Sequence, residues 1–97
     1  MTMKPESRLK QKVLADLKRL SMCYAIKLQE VGRHGVPDIF VCLKGDFVAI
    51  ELKSGPGKAT MLQEITLDNI RKAGGMAFVA NEETWPDQFK VLSMMHD

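Results

Sequence analysis

The stretch Gly35-Val-Pro-Asp-Ile-Phe-Val-Cys-Leu-Lys-Gly-Asp-Phe-Val-Ala-Ile-Glu-Leu-Lys53 decides how this sequence folds. Two β-prone runs, 36–43 and 47–53, flank Lys44-Gly45. A two-residue turn there sets Leu43 opposite Asp46. Counting outward, Cys42 meets Phe47, Phe40 meets Ala49, and Asp38 meets Glu51. Directly opposed residues share a face, with Cβ atoms about 4.5–5.5 Å apart. Lys53, two residues beyond Glu51, points to that same face. The other face carries Ile39, Val41, Leu43, Val48, Ile50 and Leu52. A one-residue slip would turn this apolar set to the wrong side, so the register is strongly specified. Lys-Gly is a weaker hairpin signal than Asn-Gly, and a three-residue turn would break the Asp38–Glu51 pairing unless a bulge restored it.

Two carboxylates directly across from each other repel and destabilise a sheet. A cation between them removes the conflict, and oxygen ligands suit a hard ion such as Mg²⁺ or Mn²⁺. Lys53 is then placed to orient a water or to stabilise charge on a phosphate. Each piece alone has a plainer reading. Glu-x-Lys on a strand usually marks a solvated face, and Asp after Pro is a common turn residue. The combination on paired strands of matching parity favours chemistry.

Working outward, residues 5–20 have helical periodicity, with Leu9, Val13, Leu14, Leu17 and Leu20 on one stripe and Pro5 in the first turn. Glu6 precedes Leu9 by three positions and Val13 by seven, and is expected on the inward face. Residues 22–28 alternate as a strand, with Tyr24 expected in the core. Residues 30–35 form a loop containing Arg33 and His34, the latter expected to be solvated. Thr60-Met-Leu-Gln63 has the capping-box pattern at the start of a helix over 60–73, and Gly74-Gly75 ends it. Residues 76–80 form a short strand, parallel to an earlier one because a helix intervenes. A closing helix starts at Thr84, with Pro86 in its first turn. The order α-β-β-β-α-β-α is that of an α/β protein, a mixed sheet flanked by helices. Lys27, Arg33, Lys44 and Lys58 lie in or near the motif loops, where they are either phosphate contacts or solvated charges.

The chain has 97 residues, enough for one domain over 1–97, and a net charge of +2. Its pI of about 8.6 permits a nucleic-acid partner without demanding one. Cys23 and Cys42 fit neither a zinc spacing nor a disulfide framework, and both are expected as reduced core residues. No apolar leader and no run of membrane-spanning length is present, so a cytosolic location is expected. A chain this short has a modest core, and a homodimer is a fair expectation.

The segments Gly35-Val-Pro-Asp38-Ile39, Ala49-Ile-Glu51-Leu-Lys53, Thr60-Met-Leu-Gln63 and Ala73-Gly-Gly-Met-Ala-Phe-Val-Ala80 resemble the PD-(D/E)xK nuclease superfamily. Within it they resemble the VRR-NUC family in its short stand-alone phage and bacterial form, over residues 6–80. The resemblance implies a restriction-endonuclease-like core and metal-dependent hydrolysis of DNA, with branched DNA (Holliday junctions or flaps) as substrate and a homodimer as the working form. It implies that Asp38, Glu51 and the Leu52 backbone carbonyl hold Mg²⁺ or Mn²⁺, that Lys53 positions the water, and that Glu6 reaches the metal directly or through water. Gln63 would hold the substrate phosphate or brace Lys53. Two plainer roles stay open: Gln63 as the capping partner of Thr60, and Glu6 as a first-turn residue favoured by the helix dipole. An inactive DNA-binding module of the same fold, or a regulatory protein with an accidental motif, are the competing functions.

Overall fold

The computed structural model describes residues 3–28 and 35–95. The elements run α1 (Pro5–Leu17), β1 (Cys23–Lys27), β2 (Ile39–Leu43), β3 (Asp46–Leu52), α2 (Met61–Lys72), β4 (Met76–Ala80) and α3 (Trp85–Ser93). The four strands form one sheet in the order β1-β2-β3-β4. β1 and β2 are antiparallel, as are β2 and β3, while β4 lies parallel to β3.

The hairpin has the expected register, Leu43↔Asp46 through Ile39↔Ile50. Lys44 and Gly45 both have positive φ, 51° and 89°. That is the backbone of a type I′ turn, whose twist matches the strands it joins. The apolar set Ile39, Val41, Leu43, Val48, Ile50 and Leu52 is buried, and α1 and α3 cover it with Leu9, Val13, Leu17, Trp85 and Leu92. Inside this layer the buried Asp16 accepts the Trp85 indole N–H at 2.9 Å and pairs with Lys12 and Arg19. α2 covers the opposite face, but only over β3 and β4, where Ala49, Leu67 and Ala77 form a second cluster with Phe40, Ile70 and Val79.

That partial cover explains two departures from expectation. Tyr24 is 71% exposed, not core. Cys42 is exposed as well, while Cys23 is half-buried and packs against the core. Alternation identifies two faces but not which one a helix will cover. β1 is an edge strand, and its core-facing residues are Cys23 and Ala25. α1 also ends three residues earlier than its apolar stripe, at Leu17. Leu20 still packs against the core, from the turn that follows. Arg33 and His34 lie outside the described residues. Among the described residues, no helix is long and apolar enough to cross a membrane.

Candidate active site

The acidic pair sits at the open end of the β2–β3 hairpin. Extending the register by one place sets Asp38 opposite Glu51, and a direct bond ties the two strands there: the Leu52 N–H donates to Asp38 Oδ2 at 2.8 Å. Carried one place further, the same register would set Pro37 against Leu52. In the alternating antiparallel pattern that position would exchange ladder bonds with Leu52, and proline has no N–H to give. The Leu52 carbonyl, on the same side of the strand as its N–H, is therefore left without its ladder donor beside the Asp38 carboxylate. Pro37 thus has a physical purpose in the motif: it frees a main-chain oxygen at the site.

Glu51 is 2% exposed. Its Oε2 accepts from Gln63 Nε2 at 3.0 Å and lies 3.3 Å from Lys53 Nζ. Its Oε1 is buried with no hydrogen-bond partner among the described residues. Burial, then the adjacent Asp38 charge, push the Glu51 carboxyl up to about 7, against the pull of Lys53. A buried acceptor without a partner costs about 1–3 kcal/mol. A carboxylate held partly protonated beside a second carboxylate, with one oxygen unserved among the described residues, suits a hard divalent cation. The donor set therefore fits Mg²⁺ or Mn²⁺.

Gln63 is the capping partner of Thr60, and its side-chain amide reaches Glu51 rather than Lys53. Its Oε1 accepts the Thr60 N–H at 2.8 Å, while Thr60 Oγ1 accepts the Gln63 N–H at 3.2 Å, which completes the capping box. Its Nε2 is left to hold Glu51. The first turn of α2 is thereby keyed to the carboxylate. Gly35 explains how α2 comes so close. It has φ +86°, and a Cβ there would lie 3.0 Å from the Leu62 carbonyl oxygen and 3.1 Å from Thr66 Oγ1.

Glu6 does not face inward: it is exposed, and it makes no hydrogen bond or ion pair to Asp38 or Glu51. The helix leaves the core within its first turn, so the buried stripe begins only at Leu9. The α1 residue that does reach the pair is Lys10, with Nζ 3.9 Å from Asp38 Oδ1. It follows Glu6 by one helical turn, a spacing legible in the sequence, but nothing there signalled a second lysine. No group of three or more metal-ligating side chains occurs among the described residues. Lys44 donates to the Met95 carbonyl at 3.0 Å, joining the hairpin turn to the chain end rather than to the site. Lys58 is exposed.

No protein-family model matches the sequence, and no curated protein does. Two solved structures are similar. One, described as a VRR_NUC domain, has 25% sequence identity and a TM-score of 0.77, with 98% of this chain and 100% of that one covered. The other is Hjc of Archaeoglobus fulgidus, a Holliday junction resolvase from an archaeal hyperthermophile, with 23% identity and a TM-score of 0.60 over 77% of this chain and 66% of that one. The α-β-β-β-α-β-α order and mixed four-stranded sheet of this chain match the restriction-endonuclease-like nuclease fold that these two structures share.

Proposed function

We propose that the protein is a Mg²⁺- or Mn²⁺-dependent DNA endonuclease. The observation that carries this reading is the buried Glu51 with an unserved oxygen, opposite Asp38 and beside Lys53, on a nuclease-type fold. Asp38, Glu51 and the Leu52 carbonyl would hold the metal. The metal, when bound, lowers the pKa of water and offsets the charge of a phosphodiester. Lys53 orients the attacking water and stabilises negative charge building on the phosphate oxygens. Gln63 fixes the Glu51 oxygen that Lys53 also approaches, and so positions both. Attack by water at phosphorus with loss of the 3′ oxygen leaves a 5′-phosphate.

Branched DNA, a Holliday junction or a flap, is the proposed substrate, in keeping with the sequence resemblance and with the activity named for Hjc. A homodimer is proposed as the working form, since a two-fold axis relates two cuts symmetrically. The test is a cleavage panel of four-way junction, flap, nicked and linear DNA with Mg²⁺ or Mn²⁺. If all four stay intact, the enzyme reading is wrong. Lys53→Ala separates the enzyme from an inactive binding module. It is expected to lower the cleavage rate on the order of 10²–10³-fold with DNA affinity largely retained.

A further inference from the structure

A basic groove adjoins Asp38. Ser7, Lys10 and Gln11 of α1, with Lys27 and Leu28 at the end of β1, line a groove of about 280 Å³. Its polar groups are a hydroxyl, two ammonium groups and an amide. Among the described residues, no carboxylate lines it. Two of its five residues touch Asp38 itself: the Leu28 N–H donates to the Asp38 carbonyl at 2.7 Å, and Lys10 Nζ lies 3.9 Å from Asp38 Oδ1. Lys27 has no ion-pair partner among the described residues. The other cavities differ. The one between α1 and the start of α3 also holds two cations, Arg8 and Lys12, but with Glu82 among them and an otherwise apolar lining, and the one beside Gly55 carries Glu82 and Glu83.

We infer that this groove is a subsite for a DNA backbone phosphate next to the bond that is cut. The inference rests on the nuclease reading and specifies where the strand runs: away from Asp38, between the first half of α1 and the end of β1. A phosphodiester matches the lining, because it carries negative charge and only acceptors, while the lining carries positive charge and donors. The groove also answers a difficulty of charge. At +2 the chain has little surplus charge, so its phosphate contacts must be concentrated, and here two lysines line one groove whose residues touch Asp38.

The test is DNA binding without divalent metal, by fluorescence anisotropy over a series of salt concentrations, so that cleavage plays no part. Each phosphate neutralised contributes about 0.9 to the salt slope on duplex DNA and about 0.7 on single strands. Lys27→Gln is expected to reduce the slope by about that amount and weaken affinity several-fold, Lys27→Arg to restore both, and Lys72→Gln, whose ammonium pairs with Asp68 on α2, to leave the slope at the wild-type value. A wild type that cuts DNA while Lys27→Gln keeps the full slope overturns the subsite and leaves the nuclease reading intact. A wild type that binds DNA with the expected Lys27 effect but never cuts keeps the groove as a backbone-phosphate site, and overturns both the nuclease reading and the place of that phosphate beside a cut bond. No DNA binding by the wild type overturns the subsite as well.

Discussion

Glu51 is the residue where stability and the proposed function oppose each other. Its carboxyl stands near 7 in the folded chain against an ordinary 4.5. A carboxyl with a raised folded pKa binds its proton more tightly when folded, so stability is lost as pH climbs from about 4.5 to about 7. One pKa unit corresponds to about 1.4 kcal/mol, which makes the whole rise worth roughly 3 kcal/mol. Glu51→Gln removes the charge and keeps the shape. Its expected effect is a higher Tm than wild type at pH 8 without metal, with the two proteins converging at pH 4, and no cleavage at either pH. In the wild type, Mg²⁺ should raise the Tm at pH 8 and progressively less below pH 7, where the proton competes for the same oxygens. Thermal melts with and without Mg²⁺ across this range check both. A Glu51→Gln protein that melts below wild type at pH 8 would show that burial of the charge is not the dominant cost.

At the scale of elements, the hairpin was the most legible part of the sequence, and its legibility has a cause. Apolar parity fixes the register, and the register alone places Asp38, Glu51 and Lys53 on one face. Glu6 and Tyr24 were misread for the opposite reason. Their exposure depends on how far a packed helix extends over its neighbours, which no local pattern encodes. Lys10 was missed for the same reason, since only the docking of α1 on β1 brings it to Asp38. Gly35 lies between these cases. It belongs to the motif, but its role shows only in the approach of α2. Gly45 has a similar φ, +89°, with nothing within 4 Å of a Cβ, whereas a Cβ at Gly35 meets the Leu62 backbone at 3.0 Å. Gly45→Ala should therefore cost about 1 kcal/mol for its positive φ alone. Gly35→Ala should cost about 1–3 kcal/mol more, the range for overpacking, and should slow cleavage because it shifts α2 and Gln63 off Glu51. Denaturant melts of the two variants isolate the close approach. Equal losses would mean that α2 yields without resistance.

At the scale of the molecule, the two faces of the sheet are unequally finished. α1 and α3 close one. On the other, α2 stops at β3 and leaves a row of Tyr24, Cys42 and Phe47 side by side in register, with Ile26 and Phe40 in the next row. Phe40 and Phe47 stack edge to face at 5.0 Å, and Leu62 and Ile65 of α2 are exposed too. An apolar patch of this kind on so small a protein marks an interaction surface. A second copy suits it, because an isologous contact sets the same patch against itself about a two-fold axis, and homodimer interfaces are more apolar than ordinary surface. The patch shares its sheet face with Asp38, Glu51 and Lys53, while the basic groove lies on the α1 side, so pairing through it leaves the groove open to DNA. The expected mass in solution is twice 10.9 kDa. Tyr24→Lys combined with Phe47→Lys should give the single-chain mass with a folded spectrum, since both side chains are exposed and little of the core depends on them. The double variant should still nick DNA at one strand, but the two symmetric cuts in a four-way junction should become uncoupled, with a nicked intermediate accumulating. Light scattering after size exclusion reads the first outcome and a junction time course the second. A wild type that runs at 10.9 kDa at micromolar concentration would remove the dimer, and with it the reason for two coupled cuts.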